Sequence, residues 1–228
     1  MKKILKIFIV IISLPIIGSI LIKPPKSVYD SIKGKAEKND TSVINSAFRV
    51  MVHEGRGDFY YAPEKIVELM VAAQIPKDII FSESEDFVET TSQSAYDLEQ
   101  EYLKALAIVF RTNLLYTWEC EGCPENLDFD RTGLYIRQLG TDTGSEEYIK
   151  WKEIERAVAF TYGAVITKEN RVIAAPFFTS SQGSMLVEEA GEGVGFSLNF
   201  AYILAQDGMD FYKILQYFYD GISVAIYE

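Results

Sequence analysis

The sequence predicts a single α+β domain behind an N-terminal membrane-spanning helix, and three observations predict it. An uncharged apolar run from Ile7 to Ile22 lies near the start, no second run of that kind interrupts the remainder, and helical periodicities there are joined by a hairpin signal. With 48% hydrophobic residues, including 14 Tyr and 14 Phe in 228 residues, the chain has the material for one good core.

The apolar run follows Met-Lys-Lys-Ile-Leu-Lys and is followed by Lys23 and a Pro-Pro pair. At about 1.5 Å rise per residue it spans roughly 24 Å, slightly less than the hydrocarbon thickness, so the flanking lysines must reach outward to the interface. Lys2, Lys3 and Lys6 place the N-terminus in the cytoplasm and the remainder outside. The small residues nearest to a cleavage site, Gly18 and Ser19 after Ile17, fit the signal-peptide rule poorly, so residues 1–23 are expected to remain as a single-pass signal anchor. Residues 24–41, rich in Lys, Pro, Ser and Asp, read as a linker, and residues 42–228 as the extracytoplasmic domain.

Net charge narrows the partners. The whole chain carries −11; its first 23 residues hold four lysines and no acid, which leaves 18 basic and 33 acidic residues, or −15, for the exported part. Nucleic acid is excluded as a partner, because its phosphates need a basic footprint. Electrostatic adhesion to an anionic wall is excluded on the same ground, so glycan binding would have to rest on hydrogen bonds and aromatic contacts.

A short helix over 63–75 is predicted by Ile66, Val67, Met70 and Val71; Gln74 lies near its end and Pro76 stops it. Ser94 to Asp97 give a capping-box-like start to a long helix in which Leu98, Tyr102, Ala105, Val109 and Tyr116 recur at helical spacing. A third helix starts at Ser145, with Glu146 and Glu147 favourable in its first turn, and closes near Gly163. Residues 164–167 and 171–178 alternate around Lys-Glu-Asn, which predicts a hairpin, and a last helix covers 209–219.

Cys120 and Cys123 are the only thiols, and an exported location permits a disulfide. Zinc needs about four ligands, and the one histidine, His53, lies far upstream. A Cys120–Cys123 disulfide or a pair of free thiols is therefore expected, with no metal site and no cofactor. His53 reads as a partly buried hydrogen-bonding residue, and no Ser-His-Asp arrangement can be built on it.

Four blocks carry a resemblance. They are Val-Ala-Ala-Gln-Ile-Pro at 71–76, Tyr-Leu-Lys-Ala-Leu-Ala-Ile-Val-Phe-Arg-Thr at 102–112, Ala-Val-Ala-Phe-Thr-Tyr-Gly at 157–163 with the run 177–184, and Glu-Gly-Val-Gly-Phe-Ser at 192–197 with the final helix and Gly221. In this order they resemble the stage II sporulation protein D family of bacterial cell-wall proteins, over most of residues 61–225. That family has Val-Ala-Ala-Glu-Met-Pro, Leu-Lys-Ala-Gln-Ala-Val-Ala-Ala-Arg-Thr, Phe-Tyr-His-Ser-Thr-Ser-Gly-Gly and His-Gly-Val-Gly-Met-Ser at the corresponding places. The resemblance implies the family's fold, and peptidoglycan glycan strands or other wall proteins as partners.

The family's activity is lytic cleavage of glycan strands, in which one carboxyl serves as acid and then as base. The position of that glutamate is held here by Gln74, whose amide cannot exchange a proton near neutral pH. Thr179 and Glu192 stand where the family has histidines, and the segment between Ser184 and Glu192 is much shorter than the family's. The resemblance therefore implies a catalytically impaired relative that binds glycan or a wall-remodelling partner. Two alternatives remain: an active lytic transglycosylase with its acid moved to Glu192 or another carboxylate, and a protein–protein module of the amidase-enhancer type. Substrate contacts are implied for Ser180, Ser181, Gly183 and Ser197; Arg111 and Thr112 either contact substrate or lock helices together.

Overall fold

The structure is a computed structural model that describes residues 49–54, 57–75, 95–128, 136–137, 140, 142, 144–178 and 195–227, with backbone alone at 53–54, 57, 95–97 and 128. The expected anchor over 1–23 and linker over 24–41 lie outside these residues. Among the described residues, no helix is long and apolar enough to cross a membrane.

The architecture is α+β. In chain order it contains β1 (Arg49–Glu54), β2 (Gly57–Tyr61), α1 (Pro63–Gln74), α2 (Ala95–Cys120), β3 (Asn126–Asp128), α3 (Glu146–Phe160), β4 (Ala164–Lys168), β5 (Arg171–Val172), β6 (Phe177–Phe178), β7 (Phe196–Ser197), α4 (Leu198–Gln206), α5 (Phe211–Phe218) and β8 (Ser223–Ile226).

The long helix α2 is central because its middle has no solvent face. Every residue from Tyr102 to Thr112 is buried, around the whole circumference of the helix. A helix apolar on all sides must be surrounded, and α1, α3, α4, α5 and β4 all pack on this one. Lys104 is tolerated there because its ammonium pairs with Glu101 at 2.6 Å and lies 4.2 Å above the Phe160 ring. The second oxygen of Glu101 accepts the Phe211 N–H at 2.8 Å, which ties α2 to the N-terminus of α5.

The helix ends follow their sequences. Pro63 opens α1 and Ile75 follows its last residue, Gln74. Ser145 caps α3, its hydroxyl accepting the Tyr148 N–H at 3.2 Å, and Asp210 does the same for Lys213 N–H at 2.9 Å in α5. At the end of α2, Gly122 takes φ +79°; its N–H donates to Glu119 while the Cys123 N–H donates to Trp118, closing the helix as a Schellman turn.

Among the described residues, three small sheets frame the helices, ordered β2-β1-β3, β5-β4-β8 and β6-β7. The expected hairpin is present as β4 and β5, turned by Glu169 and Asn170, both with positive φ. Its second arm differs from the expected continuous 171–178. It breaks after Val172 and resumes only as β6, because Ala175 is held by a side chain and Pro176 has no N–H to give.

Arg111 joins four elements. Its guanidinium is 2% exposed and makes a two-pronged pair with Glu64 of α1, Nε to Oε1 at 2.8 Å and Nη2 to Oε2 at 2.6 Å. The remaining hydrogens reach the Val158 carbonyl of α3 at 3.3 Å, the Thr161 hydroxyl at 3.4 Å and the Ala164 carbonyl of β4 at 3.1 Å. Removing one partner from such a pair leaves an uncompensated buried charge, which costs about 3–5 kcal/mol. Arg111→Met is accordingly expected to lower unfolding stability in urea by that amount, and adding Glu64→Gln to recover part of it. Equal losses in the single and double variants would refute this account.

Candidate functional site

Three consecutive side chains of α2 position everything around the candidate site. Arg111 holds α1 and α3. Thr112 accepts the Ile166 N–H of β4 at 2.9 Å while donating to the Ile108 carbonyl at 2.6 Å. Asn113 grips the Ala175 backbone from both sides, its Nδ2 donating to the carbonyl at 2.7 Å and its Oδ1 accepting the N–H at 2.8 Å.

That grip carries through to the next strands. The Pro176 carbonyl accepts from the Phe196 N–H and the Tyr219 hydroxyl, both at 2.8 Å, and the Phe177 ring meets Phe110 edge-on at 4.9 Å. Phe177 then pairs with Phe196, and Phe178 with Ser197, in the parallel ladder of β6 and β7. Gly195 is required at this crossing, because a Cβ there would lie 2.1 Å from the Phe178 ring.

These contacts engage the polar groups of both residues inside the protein: Arg111 ties α2 to α1 and α3, and Thr112 ties α2 to β4. Ser197 is likewise buried and caps α4 by accepting the Phe200 N–H at 3.3 Å. Ser180, Ser181, Gly183 and Glu192, with Thr179, lie outside the described residues.

Gln74 is half-buried at the last position of α1. Glu64, Val67, Val71 and Gln74 follow one another along one side of that helix at spacings of three and four. Glu64, at the start of this stripe, is bound to Arg111 of α2. Further along α1, the Leu69 carbonyl accepts the Arg137 N–H at 3.0 Å, and Arg137 reaches Glu147 in the first turn of α3 at 3.6 Å. Helix α1 thus runs against α3, and Gln74 lies toward the end where α3 begins.

Neither a family model nor a curated protein matches this chain.

Among the described residues, no group of three or more His, Cys, Asp or Glu side chains could hold a metal ion. Cys120 and Cys123 are both free and exposed. The Tyr116 phenol is hydrogen-bonded to Cys120, which raises its pKa. His53 lies in β1 opposite Asp58, with its side chain outside the described set.

One buried acid was missed by the sequence reading. Glu153 of α3 is 4% exposed, and its carboxylate accepts a 2.7 Å hydrogen bond from Gln100 Nε2, which also donates to the Glu153 carbonyl at 3.1 Å. Burial pushes its pKa up from the ordinary 4.5 to about 7; the Gln100 bond opposes this and the nearby Glu99 carboxylate adds to it. The signal was available, because Glu153, Ala157 and Phe160 share the side of α3 that continues its apolar pattern.

The sign of the linkage follows. Between pH 4.5 and about 7 the folded chain keeps a proton on Glu153 that the unfolded chain has released, so this contribution to stability is complete below that window and lost above it. Glu153→Gln, neutral at every pH, is expected to be more stable than the parent at pH 8 by up to about 3 kcal/mol. Urea unfolding from pH 4 to 8 checks this; an identical pH slope in parent and variant contradicts it.

Proposed function

We propose that this protein is a membrane-anchored, extracytoplasmic cell-wall protein of the stage II sporulation protein D kind, which binds peptidoglycan glycan strands or a wall-remodelling partner without cutting glycan. The observation that carries this reading is convergence on α2. The blocks that resemble the family are far apart in sequence, yet α1, the segment 175–178 and the pair β6 and β7 all meet that helix or the residues it holds. Gln74 is half-buried at the end of α1, at the position the resemblance gives to the family's acid. An amide there can hold a sugar hydroxyl by donating and accepting hydrogen bonds, but it cannot act as acid and base.

A second reading keeps the enzyme and moves the acid. Glu192 remains one candidate. Glu153 holds a proton to near neutral pH, as a general acid must, although it is buried against Gln100. The third reading, a protein–protein module of the amidase-enhancer type, makes the same face an interface.

Incubation of the purified domain with peptidoglycan, followed by product analysis, separates these readings. No anhydro-sugar products are expected from the parent, and their release would sink the non-cutting reading. Gln74→Glu is expected to create cleavage on the order of 10²–10⁴-fold above background if only the acid was lost. Retention of the parent on insoluble peptidoglycan is expected, whereas a purely protein-directed role predicts none.

A further inference from the structure

We propose that the interior between α2 and α4 binds a single water molecule, held by the phenol of Tyr102 and shared with the phenol of Tyr202. The water site does not depend on the cell-wall reading.

Tyr102 lies in the stretch of α2 that is buried on every side, and it is 0% exposed. Among the described residues, its hydroxyl is the one buried side-chain polar atom without a hydrogen-bond partner. Buried polar groups are bonded as a rule, because an unpaired one has given up its bonds to solvent and gained none in return. The neighbouring buried polar groups of α2 follow that rule: Gln100, Arg111 and Thr112 are all hydrogen-bonded.

The Tyr102 hydroxyl faces a polar corner. Its ring meets the Tyr202 ring of α4 edge-on at 5.4 Å. Burial holds the Tyr102 phenol protonated far above its ordinary range, and the Tyr202 phenol adds to this, so the two hydroxyls lie within electrostatic reach of each other. Burial likewise raises the pKa of Tyr202, and the Glu99 carboxylate adds to it. Glu99 of α2 is also the charge that acts on Glu153 of α3, and both acids are 4% exposed. Helices α2, α3 and α4 thus bring two phenols and two carboxyls to one part of the interior.

The chemistry selects the guest. It must give a hydrogen bond to a phenol or take one from it, so it is polar; it sits against a side chain closed to solvent, so it is small. A metal ion calls for more ligands than the place offers, since among the described residues no group of three or more His, Cys, Asp or Glu side chains could hold one. Water needs about two to four polar partners. Tyr102, Tyr202 and Glu99 can supply three, because a carboxylate accepts several hydrogen bonds at once. Such a water ties α4 to α2 by hydrogen bonds, where the contact is otherwise ring against ring.

The variant Tyr102→Phe tests this by the sign of its effect. It removes one oxygen and keeps the ring with its contact to Tyr202. If the hydroxyl holds a water, urea unfolding of the full chain should show the ratio of folded to unfolded protein reduced on the order of fivefold. If the hydroxyl has no partner, its removal leaves that ratio unchanged or raises it, and either result overturns the proposal. Oxygen-17 relaxation dispersion, which counts long-lived internal waters, should find one more in the parent than in Tyr102→Phe. A loss of stability with an unchanged count means that a protein group bonds the hydroxyl, and overturns the water. Tyr202→Phe, at a half-buried position, should lose the same water; its retention there overturns the sharing with α4, and this count decides alone should Tyr102→Phe not fold. Parent stability that differs among sodium, potassium and choline chloride at one ionic strength, and no longer does so in Tyr102→Phe, assigns the place to a cation and overturns the water as well.

Discussion

A guanidinium without access to water is the constraint around which this structure is organised. Arg111 can be buried only if each of its hydrogens finds an acceptor, and those acceptors come from α1, α3, the turn at Thr161 and β4. A misplaced element would leave a desolvated charge uncompensated, so the pair with Glu64 fixes where these elements sit more than it adds net stability. Thr112 and Asn113 extend the same logic through neutral groups, one to the Ile166 amide and one to both sides of Ala175. Three adjacent residues on one helix thereby set the relative placement of elements that are distant in sequence.

This arrangement separates residues that build the candidate site from residues that can act in it. Arg111, Thr112 and Ser197 have their polar groups engaged by the protein, so their contribution is to hold α1, β4 and α4 in place. Gln74, half-buried at the end of α1, has an amide suited to holding a ligand and unsuited to proton transfer. The one described carboxyl whose environment brings its pKa to about 7, Glu153, is hydrogen-bonded within the α2–α3 seam.

Helices were the legible part of the fold because their signals are local. Proline at Pro63, the Ser145 and Asp210 caps, and the apolar spacing of α1 and α2 all act within a few residues, and the structure has helices at those places. The strands were less legible. The β1–β2 hairpin, β3 and β8 were not anticipated, since β3 and β8 are short segments whose pairing comes from partners far along the chain. The expected second arm of the β4 hairpin failed for a related reason: Asn113, some sixty residues earlier in sequence, takes the hydrogen bonds of Ala175 that a strand partner would have taken.

The sequence by itself determined the α+β class, the helices α1, α2, α3 and α5, the acidic charge balance and the presence of an amide at position 74, because each depends on residue type or near-neighbour spacing, whereas α4 was not anticipated. Only the tertiary structure decided that the polar groups of Arg111, Thr112 and Ser197 are engaged inside the protein, and that Gln100 of α2 is the partner of the Glu153 carboxyl. Those outcomes depend on which distant groups surround a side chain. Burial and hydrogen-bond partners are properties of the packed whole, and no local pattern specifies them.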